Sequence, residues 1–112
     1  MISPDKQYDC PIKLTLDAIG GKYKSLIIWQ LNHKTVRFNA LHRALPDISP
    51  KVLTQQLREM EMDGLISREA YPTVPPKVEY SLTPLGYSVI PIMEAMCDWG
   101  RDYMNQSKSN QW

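Results

Sequence analysis

The sequence is short of the residues that mark several classes of protein. Its 112 residues include two cysteines and two histidines. Two cysteines do not make a disulfide framework, so we expect free thiols in a reducing compartment and a cytoplasmic protein. No apolar run approaches the ~20 residues that a membrane-spanning helix needs. Residues 1–9 lack the apolar core of a signal peptide, so we expect neither secretion nor a membrane partner.

An excess of one charge is also absent. The 13 basic and 12 acidic residues leave a formal net charge of +1, so any basic surface that attracts nucleic acid must be local. The histidines, His33 and His42, stand in no catalytic-triad, zinc or phosphate-loop pattern. We therefore predict that the chain is not an enzyme and that it has no metal site and no cofactor. A chain of this length forms one domain with a small core.

The most informative stretch, residues 47–65, predicts one helix. Ser49 can cap its N-terminus, Pro50 suits the first helical position, and Gly64 can end it in the left-handed conformation. At about 100° per residue, the helix has an apolar face and an opposite polar face. The apolar face holds Leu53, Leu57 and Met60, and the polar face holds Lys51, Thr54, Gln55 and Arg58.

The polar face combines a hydroxyl, an amide and two cations, which are groups that read base edges and phosphates in the DNA major groove. For an isolated helix, a solvated surface is the alternative interpretation. The neighbouring sequence favours DNA, because a short helix at 39–45 is ended by Pro46 and a tight turn leads into the 49–63 helix. This order is typical of a helix-turn-helix.

Two more helices are predicted ahead of this pair. The first spans residues 11–19 and is broken by Gly20-Gly21, and the second spans residues 22–32. Lys22 and Lys24 in its first turn oppose the helix dipole, so either a DNA phosphate completes a site there or the charges are mildly unfavourable. The predicted core positions are Ile12, Leu16 and Ile19 in the first helix and Leu26, Ile27, Trp29 (or Ile28) and Leu31 in the second.

The hydrophobic period changes from 3.6 to 2 after Gly64. Residues 66–71 and 78–82 alternate in polarity, and the proline-rich segment between them cannot be strand interior. An isolated hairpin is marginal in water, so this one must pack on the helices. A helix-turn-helix followed by such a hairpin is a winged helix, with Lys77 where the wing can reach the DNA backbone.

The last helix is predicted to run from its cap, Thr83, to about Met104, with a kink at Pro91 in its middle. Its apolar surface is too broad for one small domain to cover. We expect the same helix of a second copy to cover it, and the alternative is packing wholly within its own domain. Cys97 lies on this helix, where a packing role is expected. The predicted interface residues are Leu85, Val89, Ile92, Met96, Trp99 and Tyr103.

The sequence therefore predicts a mainly α fold with a small β-hairpin wing (α+β), a winged helix-turn-helix dimerised through its terminal helices. Residues 1–9 are expected to form a flexible arm, residues 10–104 the domain, with its dimerisation helix at about 84–104, and residues 105–112 a disordered tail. A short β-branched segment, residues 35–38, predicts a strand of one or two pairs. The predicted DNA contacts are Ser49, Lys51, Thr54, Gln55, Arg58, Lys77, Lys24 and Arg37.

These segments resemble the HxlR-type winged-helix transcriptional regulators of bacteria, also called the DUF24 group within the MarR-like regulators. The matching segments are CPIKLTLDAIGGKYK, RFNAL, LPDISPKVLTQQLREMEMDGLI, YPTVPPKVEYSLTPLG and a late WG, across residues 10–104. The resemblance implies a homodimer that binds a palindromic operator in double-stranded DNA, without implying activation or repression. The family commonly has Trp where this chain has Tyr23, which we interpret as an exchange of core aromatics.

The resemblance also concerns Cys10, because several members carry at this position a cysteine that senses a small electrophile or oxidant. Other members with the cysteine have no demonstrated effector, and some relatives pair it with a C-terminal cysteine across the dimer. The helix N-terminus and Lys13 favour a thiolate at Cys10, whereas Asp9 opposes it. A small packing residue is the alternative.

For the whole chain, the alternative function is a winged-helix protein-interaction module without DNA binding. The cation-bearing polar face at 51–58 argues against that alternative, since such modules usually lack one.

Overall fold

The computed structural model describes the backbone of residues 9–110 and the side chains of residues 9–107. All of the predicted N-terminal arm except Asp9 lies outside the described residues. The elements follow in the order α1 (Pro11–Ile19), α2 (Lys24–Gln30), β1 (Val36–Arg37), α3 (Phe38–Ala44), α4 (Pro50–Met62), β2 (Ile66–Tyr71), β3 (Lys77–Leu82), α5 (Pro84–Ser88) and α6 (Ile90–Asn110).

Helix α4 begins and ends as its sequence predicts. The Ser49 hydroxyl accepts a hydrogen bond from the Val52 N–H at 3.2 Å, which satisfies one of the free donors of the first turn. At the other end Gly64 has φ of 81°. The Gly64 N–H bonds the Glu61 carbonyl and the Leu65 N–H bonds the Met60 carbonyl, each at 3.0 Å. This pair of bonds is the Schellman motif, and it turns the chain from α4 into β2.

The apolar face of α4 anchors the core. Leu53, Leu57 and Met60 are buried as predicted, and they join buried residues of the other helices and of the sheet in one cluster. The turn between α3 and α4 is closed by the His42 ring, whose Nε2 donates to the Ile48 carbonyl at 3.1 Å. His42 is thus half-buried and holds the two helices of the helix-turn-helix together.

The sheet is three-stranded and antiparallel, in the order β1-β3-β2. The hairpin register pairs Ile66 with Leu82 and Tyr71 with Lys77. The predicted short strand is confirmed, because β1 adds two pairs, Val36 with Tyr80 and Arg37 with Glu79. Strand β1 thereby ties the wing to the start of α3, immediately ahead of the helix-turn-helix.

The core predicted for the first two helices is partly wrong. Ile12 and Leu16 of α1 are 66% and 60% exposed, and Leu26 and Trp29 of α2 are also exposed. In α2 the inward face is fixed by Lys24, Ile27, Ile28 and Leu31, which are spaced i, i+3, i+4 and i+7, so Leu26 and Trp29 point away from the domain.

The predicted long last helix is two helices. Helix α5 ends at Ser88, Val89 forms a turn, and α6 starts at Ile90. Pro91 therefore lies in the first turn of α6, where its missing N–H removes no helical hydrogen bond, and no mid-helix kink is needed. Helix α6 continues past Met104 to Asn110. The predicted disordered tail is wrong for residues 105–110, and residues 111–112 lie outside the described residues.

Thr83 caps α5 as predicted, since its hydroxyl accepts from the Gly86 N–H at 3.1 Å. The same hydroxyl donates to the Gly64 carbonyl at 2.6 Å, which joins the end of α4 to the start of α5. A Cβ at Gly86 would lie 2.1 Å from the Leu65 carbonyl oxygen, so only glycine permits this approach. Within residues 9–110 no helix combines the length and the apolar character needed to cross a membrane.

Candidate nucleic-acid interface

The polar face of α4 is presented to solvent. Lys51, Gln55 and Arg58 are exposed, and Thr54 between them is half-buried. The Thr54 hydroxyl donates to the Pro50 carbonyl at 2.8 Å, which leaves its oxygen as an acceptor for an outside donor. The structure thus brings the four predicted reading residues together on one side of a helix whose other side is fixed in the core.

An open cleft of about 980 Å³ lies between α4, the β1–α3 junction and the wing. Its four cationic side chains come from three separate parts of the chain: Arg37 in β1, Arg58 in α4, and Arg68 and Lys77 in the hairpin. Glu61 is the acidic residue among those that line it. A concave surface with this excess of cations attracts the sugar-phosphate backbone, although the chain as a whole is nearly neutral.

Arg68 is the cleft residue that sequence reasoning missed. It is the register partner of Tyr80, whose side chain is on the buried face of the sheet, so Arg68 projects from that face toward the cleft. Its alternation with Ile66 and Ala70 placed it on the inner face of β2. A cation on the inner face of a strand was the signal that could have identified it.

The wing tip fixes Lys77 against an aromatic ring. The Lys77 Nζ lies 4.7 Å from the centroid of the Tyr71 ring, a cation–π distance. Partial desolvation raises the pKa of Tyr71, and the carboxylates of Glu69 and Glu79 raise it further. Glu79 also lies 3.9 Å from the guanidinium of Arg37, which is otherwise largely exposed.

Lys24 is not available to DNA, contrary to the prediction. It is only 5% exposed. Its ammonium lies 3.1 Å from a carboxylate oxygen of Glu59 and 3.4 Å from the carbonyl oxygen of Asp17. An internal carboxylate, rather than a phosphate, therefore compensates this cation in the first turn of α2.

An apolar surface runs along α5 and α6. Trp99 is 70% exposed, and its ring stacks on that of Tyr103 with the centroids 5.4 Å apart. Leu85, Ile92 and Met96 are also exposed. Val89, the remaining predicted interface residue, instead packs against the core of its own chain. The exposed Ile12 and Leu16 of α1 add to the apolar surface of the domain.

The two cysteines are free thiols. Cys10 is half-buried at the N-terminus of α1, where its side chain makes no capping hydrogen bond. Cys97 is exposed in the single chain, on the helix where packing against a second copy is predicted, and Arg101 donates to its sulfur at 3.4 Å. Among residues 9–110, no cluster of histidine, cysteine and acidic side chains could hold a metal ion.

Comparison with known proteins identifies the family. The family model of HxlR-like helix-turn-helix proteins matches residues 18–108. The chain belongs to this family. HxlR-like relatives are transcriptional regulators, so the chain is a helix-turn-helix transcriptional regulator rather than an enzyme, as the resemblance predicted.

Individual HxlR-like relatives are similar to this chain along most of its length. An uncharacterised HTH-type transcriptional regulator of Methanothermobacter thermautotrophicus is 45% identical over 106 residues, which cover 95% of this chain and 81% of that protein. The redox regulator HypR in its reduced form has a TM-score of 0.83 at 44% identity, with 89% of this chain and 99% of that chain covered. Its oxidised form has a TM-score of 0.78 at 47% identity, covering 83% and 96%. These matches confirm the winged-helix fold.

Proposed function

We propose that this HxlR-like regulator binds a palindromic operator in double-stranded DNA as a homodimer. Helix α4 enters the major groove, and the β2–β3 wing contacts the flanking backbone. The observation that carries the proposal is the division of α4 into two faces. Leu53, Leu57 and Met60 fix the helix in the core, while the opposite face presents side chains suited to base edges.

Each side chain of that face has a chemical role in the proposal. The guanidinium of Arg58 and the ammonium of Lys51 suit the guanine O6 and N7, and the amide of Gln55 suits the adenine N6 and N7. Thr54 can accept from a base, and Ser49 at the helix N-terminus lies where a phosphate is favoured. Such contacts specify sequence.

The cleft supplies the contacts that hold α4 in register. Arg37, Arg68 and Lys77 flank α4 on the side of the wing. Contacts from these cations to phosphates position a protein on the duplex and release counterions, but they do not distinguish sequences. Lys24 is left out of this set because Glu59 already pairs with its charge.

The exposed apolar surface supports the homodimer. Trp99, Tyr103, Met96 and Ile92 present large apolar side chains to solvent on one helix, and contiguous surfaces of this kind mark interaction sites. Two-fold pairing of α6, with α1 beside it, would make the interface isologous. It would also set the two α4 helices about one turn of DNA apart, ~34 Å.

Cys10 is proposed as a site of redox or electrophile control. The support is its partial exposure at the start of α1, whose Ile12 and Leu16 are exposed apolar residues, and the similarity to HypR, a redox regulator. Only the thiolate attacks an electrophile or an oxidant. Modification would add bulk or a cross-link beside the dimer contact and would change the spacing of the two reading helices.

A mobility-shift assay with the protein's own promoter region tests the DNA proposal against the protein-interaction alternative. A retarded complex that competes with its own sequence and weakens with salt supports operator binding, since neutralised phosphates make affinity salt-dependent. Equal competition by unrelated DNA, or no complex at low salt, would favour a winged helix that binds another protein.

A further inference from the structure

Lys24 is the charged residue found among the buried side chains of the described part of the chain. Removing an ammonium from water is costly unless it is paired and hydrogen-bonded. Its position in the first turn of α2 adds to that cost, because the helix dipole disfavours a cation there. A neutral side chain of similar length could fill the same space, so the charge itself calls for an explanation.

The two partners of Lys24 lie on two other helices. Its Nζ lies 3.1 Å from Oε2 of Glu59 on α4. The same atom donates to the carbonyl oxygen of Asp17 on α1 at 3.4 Å. One ammonium group therefore connects α1, α2 and α4 directly.

Glu59 is well placed to set the rotation of α4 about its own axis. It follows Arg58 in sequence and lies one turn beyond Gln55, at the border between the buried face and the reading face. The surface side chains of a helix lie roughly 5–6 Å from its axis, so a rotation of about 10° moves them by about 1 Å. A shift of this size is enough to misplace a bidentate contact to a base.

We propose that Lys24 is a positioning residue for DNA reading, which fixes the orientation of α4 relative to α1 and α2. This inference rests on the proposed operator binding. Lys24 touches no base or phosphate. It acts through Glu59, and its second bond holds α1, which the proposed dimer places beside the α6 contact, in a fixed position relative to α4.

The alternative is that the ion pair only stabilises the fold. Buried ion pairs are weak evidence for stability, because replacing both partners by apolar residues of similar volume is often neutral or stabilising. The two roles therefore separate in a double variant, Lys24→Met/Glu59→Met. The double variant should keep or raise the resistance to urea. It should lose the preference for one spacing between the two DNA half-sites, which we attribute to the charge pair.

The test uses the full chain and a duplex with the inverted repeat that the chain selects from random DNA. Derivatives of this duplex have one or two base pairs added or removed between the half-sites. Affinity for each duplex and the urea midpoint are measured for the unmodified chain, Lys24→Met, Glu59→Gln and the double variant. Lys22→Met is the matched control, since it removes an exposed cation two residues away whose ammonium lies 5.3 Å from the Tyr23 ring centroid.

We expect the double variant to bind the selected duplex at least tenfold more weakly and to lose most of its preference for the original spacing. Each single variant should also lose the preference for the original spacing. If Lys24→Met does not fold, Glu59→Gln alone tests the loss of the ion pair. Lys22→Met should bind all spacings in the ratios of the unmodified chain. Retention of the original spacing preference by the Glu59→Gln and double variants would overturn the proposal.

A second measurement needs no DNA. Hydrogen–deuterium exchange of α1 and α4 should increase together in Lys24→Met and Glu59→Gln and should be unchanged in Lys22→Met. If the chain selects no inverted repeat, operator binding fails, and the exchange result alone then decides whether Lys24 links the helices. Unchanged exchange in both Lys24→Met and Glu59→Gln would contradict the link.

Discussion

The indole ring of Trp99 stacks on the phenol ring of Tyr103, with the two planes 16° apart, on a helix face that its own domain leaves uncovered. The residues are spaced i, i+4, so the contact forms within α6 itself. It holds two large aromatic side chains against each other on the exposed face of α6. Side chains that are already packed on each other lose little rotamer freedom on association, which suits a subunit contact.

The first prediction is that Trp99→Asp produces a monomer. An unpaired carboxylate in the apolar contact between subunits is costly, so association should weaken by at least tenfold and operator binding should be lost with it. Light scattering at micromolar concentration measures the mass of both proteins. Asn105→Asp adds the same charge on the opposite side of α6 and should remain a dimer. A monomeric unmodified chain would contradict the assigned interface.

The second prediction separates the folding role of Ser49 from its proximity to DNA. Ser49→Ala removes the bond to the Val52 N–H and should lower the free energy of unfolding by about 1 kcal/mol. Ser49→Asp keeps the cap and favours the helix dipole, so stability should be retained. Its added charge should nonetheless weaken DNA binding by repelling phosphates. Urea unfolding and fluorescence anisotropy measure the two properties, and equal DNA affinity for Ser49→Asp would exclude a nearby phosphate.

The third prediction concerns the wing and the cleft. Lys77→Ala and Arg68→Ala should each weaken binding to all duplexes alike and lower the slope of log affinity against log salt by roughly one per subunit. The reason is the loss of one phosphate contact in each half-site. Lys34→Ala removes an exposed cation outside the cleft and serves as the control. An unchanged salt slope for Arg68→Ala would exclude that residue from the interface.

Much of this interface could be predicted from the sequence because the signals were local. The cap at Ser49, the glycine at Gly64 and the spacing of Leu53, Leu57 and Met60 define α4 without any knowledge of its neighbours. The two strands of the hairpin follow from alternating polarity and the proline-rich segment in the same way. The reading face is then the polar face of α4, opposite these buried residues.

The errors arose where partners are distant in sequence. Lys24 was interpreted as a surface cation because its carboxylate, Glu59, lies on a different helix. Arg68 was missed because the cleft brings together three separate segments. Leu26 and Trp29 were placed in the core because apolar residues on both sides of α2 left its inward face undecided. In each case tertiary packing, rather than local pattern, set the outcome.

The fourth prediction concerns Cys10. Treatment with diamide or a quinone should reduce operator affinity of the unmodified chain, because only a thiolate reacts and the modified group lies beside the proposed dimer contact. Cys10→Ser treated in the same way should keep its affinity. Cys97→Ser is the matched control for the other free thiol and should respond as the unmodified chain does. Equal responses of the unmodified chain and Cys10→Ser would leave Cys10 as a packing residue.

The most direct test of the central claim is the sequence preference of two variants of α4. Gln55→Ala and Arg58→Ala each remove a side chain that faces away from the core, so folding should be intact. Competition binding on duplexes substituted at every position of one half-site should show a loss of ~1–3 kcal/mol for each variant, with specificity relaxed at one base pair per half-site. Unchanged affinity and unchanged base preference in both variants would contradict the assignment of α4 as the reading helix.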